Sequence, residues 1–488
     1  MKMPKILLTV SNLRSIFGDA SAVPGHPHTG VAYLSAFLKS HGVEVDVYDE
    51  RMDGPERLPQ LLKAKSYTAV GVTAFSYSLQ NVYGLIRRIK ENSSAPVILG
   101  GPHVSVAKDT VFNKAPMDFA IMHEGEETAL DLLQRLETGL DDWASVPGLI
   151  WKKKDGQAVV NIGRPLVQDL DSLPYPDYDA FGIERYPCWN VRSIPFITQR
   201  GCPYQCNFCS VPVSMGEKFR YRSPENTVKE MEHWYKRGFR HFQINDDVFN
   251  IRRDRVLEIC RLIRQKGLDV TWELYNGIRV NVADETLLRA MKEAGCVLVS
   301  FGCETGSPRI MKLIEKGCTL EQVKSAVQTT RKVGINCSVN FIVGHPTETR
   351  EEAMETYRFA KSLPANFINF YNDVPYPGTR LWEWVRDHAR LLQPDFLEDV
   401  TYHSGEIIYD TPEFTREERL EVLGMGHRLY EKSMMTYRMG PALGTLVFHA
   451  TRFKLLHWIG RNFVYSTRLG RWLFSKLSLK FGGMVWVR

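Results

Sequence analysis

An alternation that runs twice along the chain constrains its fold more than any other feature. Short runs rich in Val and Ile are each followed by a stretch with helical apolar spacing. In the first pass the strand-like runs are 5–10, 44–48, 69–73, 96–99 and 118–122. Helical patterns fill 30–40, 57–65, 80–91 and 126–136, with a weaker one after Val104. Strands that each lead into an amphipathic helix predict an open parallel sheet. Such a sheet binds ligands beyond the carboxyl ends of its strands. Ser76 and Tyr77 lie there, then Gly100, Gly101, Pro102 and His103, then Glu124, Gly125 and Glu126. The two adjacent glycines also suit a plain turn.

The second pass has strand-like runs at 195–199, 239–244, 270–275, 296–301, 336–343 and 367–371. Helical patterns near 225–236, 252–265, 284–293, 321–332 and 351–362 separate them. Six such units predict a partial barrel, since eight would close one. Between the passes the sequence is irregular and Pro-rich, with a hairpin signal at Asp155-Gly156. The expected chain is therefore α/β. An N-terminal open parallel Rossmann-like sheet (1–140) leads through a linker with a hairpin (141–193) to a partial (β/α)6 TIM-type barrel (194–380). A basic, mainly helical C-terminal extension (381–488) follows.

Composition narrows the class. Hydrophobic residues at 44% and charged residues at 24% are ordinary for a globular chain. No run approaches the 18 or so apolar residues of a membrane span, and the initial Ile6-Leu7-Leu8 is too short for a signal-peptide core. The sequence thus predicts a cytoplasmic protein with free thiols. Net charge is +6, yet residues 432–488 hold ten Lys/Arg and no Asp or Glu. The remainder has 52 basic against 56 acidic residues. Basicity belongs to the tail, which argues against a general nucleic-acid surface.

The nine cysteines are equally uneven: none precedes Cys188, and Cys202, Cys206 and Cys209 fall within eight residues. They follow the first predicted barrel strand, and barrel chemistry is performed at the carboxyl ends of strands. Three thiolates in C-x3-C-x2-C can hold three irons of a [4Fe–4S] cube, leaving the fourth iron open. Structural zinc wants four ligands, usually in two pairs, and no second pair is present. Buried free thiols are the other alternative. Cys260, Cys296, Cys318 and Cys337 read as small apolar residues, and Cys303 stands apart beside Glu304.

The loop 199–209, Gln-Arg-Gly-Cys-Pro-Tyr-Gln-Cys-Asn-Phe-Cys, resembles the signature of the radical S-adenosylmethionine enzymes. The resemblance implies that Cys202, Cys206 and Cys209 hold a [4Fe–4S] cluster whose open iron chelates S-adenosylmethionine. It also implies that Phe208 lies against the adenine. Asn245-Asp246-Asp247, Gly277-Ile278-Arg279, Gly302-Cys303-Glu304 and Gly344-His345-Pro346 follow successive later strands, and Val374-Pro375-Tyr376 follows the last. These resemble the barrel rim of the branch that includes methylthiotransferases and cobalamin-dependent radical enzymes. On that likeness Glu304 accepts from the ribose or the methionine ammonium, Arg279 pairs with the methionine carboxylate, and Gly344 belongs to the same site. Taken singly, each motif also suits a capped helix or an ion pair.

Methylthiotransferases carry three further N-terminal cysteines, which this chain lacks. Its first 140 residues instead resemble the cobalamin-binding domain of cobalamin-dependent radical enzymes. Ser76, Gly100, Gly101, His103, Gly125 and Glu126 then become cofactor contacts. None of His26, His28, His41, His103 or His123 has Asp two positions earlier, so the D-x-H-x-x-G cobalt-ligating motif is absent. The activity this implies is methylation of an unactivated carbon, through a 5′-deoxyadenosyl radical and methylcobalamin. Oxidative cyclisation is the alternative, and a non-catalytic cobalamin sensor would have no use for the cysteine loop. Expected partners are a small-molecule substrate and a one-electron reductant such as flavodoxin or ferredoxin. In the tail, Lys454, His457, Arg461 and Arg468 share a helical face opposite Trp and Phe residues, a pattern for peripheral contact with an anionic membrane and a lipophilic substrate. The same pattern suits a helix packed on the barrel.

Overall fold

The structure is a computed structural model that describes residues 3–12, 25–186, 192–393, 396 and 406–450. The first alternation folds as expected. Strands β1 (Lys5–Val10), β2 (Glu44–Asp49), β3 (Ala69–Thr73), β4 (Val97–Gly100) and β5 (Phe119–Ile121) pair in parallel, in the order β2-β1-β3-β4-β5. Apart from the edge strand β2, their side chains are mainly apolar on both faces because helices cover both. Helix Thr29–Ser40 buries Val31, Ala32 and Leu38, and helix Leu79–Asn92 buries Val82, Leu85, Ile86 and Ile89.

The hairpin expected in the linker forms, and it joins this same sheet. β6 (Leu149–Lys152) and β7 (Ala158–Val160) add antiparallel to β5, turning at Gly156 with φ +87°. Beyond them, residues 170–186 make short 3₁₀ turns that tie the two halves together. The Tyr178 hydroxyl donates to the Pro195 carbonyl (2.6 Å) and the Tyr186 hydroxyl to Asp49 (2.6 Å).

The second sheet has six parallel strands: β8 (Ser193–Phe196), β11 (His241–Ile244), β12 (Thr271–Ile278), β13 (Cys296–Glu304), β14 (Asn336–Val343) and β15 (Phe367–Asn372). They stand in chain order, the partial barrel that six βα units predict. The sequence pattern ran β8 on to residue 199, but the ladder ends at Phe196. Asp246 accepts the Thr198 N–H (2.6 Å) and the Gln199 N–H (3.2 Å), withdrawing them from the sheet. Gln199–Arg200 (β9) pairs antiparallel with Arg220–Tyr221 (β10). A register shift late in β13 puts Glu304 at φ +70°, a left-handed conformation that turns its side chain onto the rim.

One apolar core runs beneath both sheets, from Ile6 and Leu8 through Tyr178 and Phe196 to Trp272, Phe301 and Phe341. The amphipathic helix that the sequence predicts over 415–435 is present as Arg416–Met439, capped by Thr415 with Glu418 in a capping box. It packs on β15 so closely that a Cβ on Gly426 would lie 2.2 Å from Phe370. Lys454, His457, Arg461 and Arg468 lie outside the described residues.

Candidate functional site

The cysteine loop is held from four sides. Gly201 N–H donates to Asp247 (2.8 Å), and Cys202 N–H to the Gly216 carbonyl (3.2 Å). Asn207 N–H donates to the Ile314 carbonyl (3.3 Å) and accepts at its own carbonyl from Leu381 N–H (2.9 Å). Gly201 sits at φ +84°, and a Cβ there would meet the Lys218 carbonyl at 2.4 Å, so only glycine allows this entry. Cys202, Cys206 and Cys209 are free and partly exposed. Burial pushes the Cys202 thiol up and that of Cys209 to about 12. Among the described residues no three of His, Cys, Asp and Glu converge on a single ion. A set of three soft donors spread along one loop suits a polynuclear iron–sulfur group, in which each thiolate takes its own iron.

Around this loop the rim residues are placed unevenly. Glu304 lies beside it, its Oε1 2.7 Å from Lys316 Nζ. Lys316 is pulled down by burial but held above the ordinary value overall by Glu304, and it lies 5.9 Å from the Phe208 ring. The Arg279 guanidinium stacks on Tyr204 at 3.8 Å and donates to the carbonyls of Lys316 (2.5 Å) and Gly317 (3.2 Å). Its Nη2 is thus committed to clasping the rim turn to the loop. Phe208 faces His345 at 5.9 Å between ring centres. Gly344 is roofed by the C-terminal part of the chain, its carbonyl accepting from the Tyr409 hydroxyl (2.5 Å) and from Arg419 Nη1 (3.2 Å).

The carboxyl ends of the first sheet meet the root of the cysteine loop across a cavity of about 510 Å³. Gly100, Gly101, Gly125 and Glu126 line it, with Ile197, Gln199 and Arg200 from the barrel side. Gly101 has φ +99°, and a Cβ would lie 2.7 Å from the Ala74 carbonyl, so it is more than a turn residue. Ser76 and His103 are not in the lining. They bond to each other (3.1 Å), and burial pushes His103 down to about 4. Glu126 is ion-paired with Arg200 at 2.8 Å. Four residues near the cavity or rim that the sequence reading did not single out are His28, Gln199, Arg220 and Lys316. Local signals existed only for His28, an N-cap side chain, and Gln199, directly before the loop.

This fold and site define a radical S-adenosylmethionine enzyme joined to a B12-binding domain. Residues 196–360 match the Radical SAM superfamily and residues 18–133 the B12 binding domain. An uncharacterized methyltransferase of Pyrococcus horikoshii is 34% identical over 407 residues, covering 82% of this chain and 87% of that protein. An anaerobic magnesium-protoporphyrin IX monomethyl ester cyclase of Rubrivivax gelatinosus is 29% identical, covering 79% and 71%. The structure of the radical S-adenosylmethionine methyltransferase TsrM of Kitasatospora setae superposes with a TM-score of 0.70 at 18% identity, covering 94% and 99%. The chain belongs to the cobalamin-dependent radical S-adenosylmethionine enzymes. Its cofactors are a [4Fe–4S] cluster, S-adenosylmethionine and cobalamin. Among the described residues no helix is long and apolar enough to cross a membrane.

Proposed function

We propose that this enzyme methylates an unactivated carbon of a small molecule in the space between the cysteine loop and the first sheet. When bound, the cluster and S-adenosylmethionine supply a carbon-centred radical, and cobalamin supplies a methyl group. Cys202, Cys206 and Cys209 hold the cluster, and the Gly201 turn and the Arg279 clasp keep their loop in place. Glu304 and Lys316 stand side by side beside the loop, a carboxylate and an ammonium matched to the ammonium and carboxylate of a methionine moiety. Arg279, assigned to that carboxylate by resemblance, positions the loop in this reading. Phe208 offers an aromatic face beside Gly344. On the facing wall Gly100, Gly101, Gly125 and Glu126 form the floor for the corrin.

The observation that carries the reading is the shared cavity, which joins the loops of the first sheet to the root of the cysteine loop. The test is anaerobic reconstitution with cobalamin, reductant and S-adenosylmethionine carrying a deuterated methyl group. Labelled methylcobalamin and 5′-deoxyadenosine are expected, and absence of both would overturn the reading. Two relatives named as cyclases support a second outcome, oxidative ring closure. Retention or loss of the label in the final product separates the two. The basic, aromatic tail supports a lipophilic substrate met at an anionic membrane surface, with a flavodoxin or ferredoxin as electron donor.

A further inference from the structure

The inner face of the barrel carries an ordered line of uncharged polar side chains. Ser300 stands in register with Ser338, and Asn340 with Asn369. Asn369 Nδ2 donates to Ser338 Oγ (2.8 Å) and to Asn340 Oδ1 (2.9 Å), and Asn340 Nδ2 donates to Ser300 Oγ (3.0 Å). These bonds fix both amide planes. Among themselves the four residues leave the Asn369 carbonyl oxygen and the second Asn340 amide hydrogen unused.

This line faces the lumen. Residues of the opposite parity point outward: Phe341 meets Phe359 of helix Arg350–Ser362, and Phe370 meets Gly426 of the tail helix. Cys337, Val339 and Phe341 are accordingly buried, whereas Asn340 and Ile342 on the inner face are only half-buried. With a paired strand on either side of β14 and helices behind it, their exposure is to an open barrel interior. That interior meets the reaction space, because the cavity beside the cysteine loop extends to Asn245 and Asn276 at the carboxyl ends of β11 and β12.

No charge stands in the middle of this wall. Strands β12 to β15 contain two charged residues, Glu273 and Glu304. Glu273 is 1% exposed and lies 3.3 Å from His241 Nε2 near the amino-terminal end, while Glu304 is paired with Lys316 at the rim. Between them come Ser300, Ser338, Asn340 and Asn369, followed toward the rim by Ile342 in register with Tyr371. A carboxylate, phosphate or ammonium pressed against this wall would lose water and gain no counter-charge. An uncharged carbonyl or hydroxyl would exchange its water for the amides.

We propose that the Asn340–Asn369 ladder is the substrate-recognising wall of this enzyme, and that it selects an apolar molecule through an uncharged carbonyl, amide or hydroxyl group. This rests on the methylation reading and names the substrate class for that site.

The test uses the full chain as reconstituted holoenzyme and needs no turnover. The probes are matched triples on three apolar bodies, cyclohexane, indane and adamantane, each as carboxamide, carboxylate and primary ammonium. Ligand-observed NMR reads their affinities. Wild-type protein is expected to bind the carboxamide of at least one body about tenfold tighter than its two charged counterparts. Asn369→Asp is nearly isosteric, places an anion in the wall and should make the ammonium member the tightest binder. Asn340→Leu should erase the carboxamide preference. An amide with a structural role alone would weaken all three probes together and produce no switch. Wild-type protein that binds carboxylates as tightly as carboxamides would overturn the proposal, as would an Asn369→Asp protein that keeps the wild-type ranking. Binding of no probe in the millimolar range would overturn it too. Failure of the methylation reading shows elsewhere, as absence of labelled methylcobalamin and 5′-deoxyadenosine in the reconstitution described above.

Discussion

Arg200 Nη1 meets Glu124 Oε1 at 2.8 Å, and through that contact the end of β5 is bonded to the root of the cysteine loop. Arg220, across the β9–β10 pair, reaches the same carboxylate at 2.8 Å, and Arg200 Nη2 takes Glu126 at 2.8 Å. These side chains are 4–11% exposed, so the network is largely shielded from salt. The loop proposed to carry the cluster and the loops proposed to carry the corrin cannot shift independently.

Glu124→Ala leaves two buried guanidinium groups short of charge and should cost about 3–5 kcal/mol. Burial pulls the Glu124 carboxyl up, but Arg200 and Arg220 outweigh it and hold it below the ordinary value. Its contribution is therefore present above the unfolded-state pKa and lost as pH falls through the lower folded one. Urea unfolding should show a large difference from wild type at pH 7 that shrinks in acid. A gap unchanged with pH would contradict this.

Replacing Cys202, Cys206 and Cys209 together by Ala should abolish iron retention and cleavage of S-adenosylmethionine. Single replacements of the buried Cys260, Cys296 or Cys337 should leave about four irons per chain. Iron quantitation after anaerobic reconstitution decides, and wild-type cleavage by the triple variant would sink the assignment.

Gly100 and Gly101 are neighbours with opposite tolerances. An added Cβ at Gly100 meets nothing within 4 Å, whereas at Gly101 it strikes the Ala74 backbone at 2.7 Å with φ at +99°. Gly101→Ala should cost at least about 2 kcal/mol, and Gly100→Ala no more than about 0.5 kcal/mol. Thermal unfolding of the two variants measures the contrast.

Below the end of β14, burial pushes Glu348 up to about 7. For His345, burial lowers the pKa but Asp373, 3.3 Å away, outweighs it and leaves it raised. Both groups bind protons more tightly folded than unfolded, so stability falls as pH rises through neutrality. Glu348→Gln keeps an acceptor for the Gly344 and His345 N–H groups. It should flatten that fall between pH 5 and 7 by about 1–3 kcal/mol. An unchanged slope in denaturant titrations would show that Glu348 does not titrate there.

Full-length protein should sediment with liposomes containing anionic lipid, at about 1 kcal/mol per basic residue near the surface. High salt or truncation after Met439 should release it. Equal partitioning onto neutral liposomes would remove the support for a lipophilic substrate and leave the enzyme assignment standing.

What was legible in the sequence is what is local. Val/Ile runs and helical spacing gave both sheets, because each strand is buried by the helix that follows it. The cysteine loop was legible because its donors lie within eight residues. Groups brought together from afar were not. Glu124 and Arg200 stand 76 residues apart, and Gly344 and Arg419 stand 75 apart. Strand-end position alone also carries no information on side-chain direction. Ser76 and His103 bond to each other beside the cavity, and Arg279 stacks on Tyr204 with its Nη2 donating to rim carbonyls.

The chain-order arrangement of the second sheet has a consequence for synthesis. Each of the six strands of this sheet docks beside the sheet strand translated before it, so the barrel can lengthen while the chain is still emerging. At every stage the newest strand is a raw edge with unpaired N–H and carbonyl groups, open to a neighbouring nascent chain. Helix Arg416–Met439, laid against β15 with Gly426 on Phe370, arrives some forty residues after the last strand. A ribosome stalled between Asn372 and Thr415 would hold six finished strands with that helix still untranslated. That interval is where a chaperone would have the most to protect.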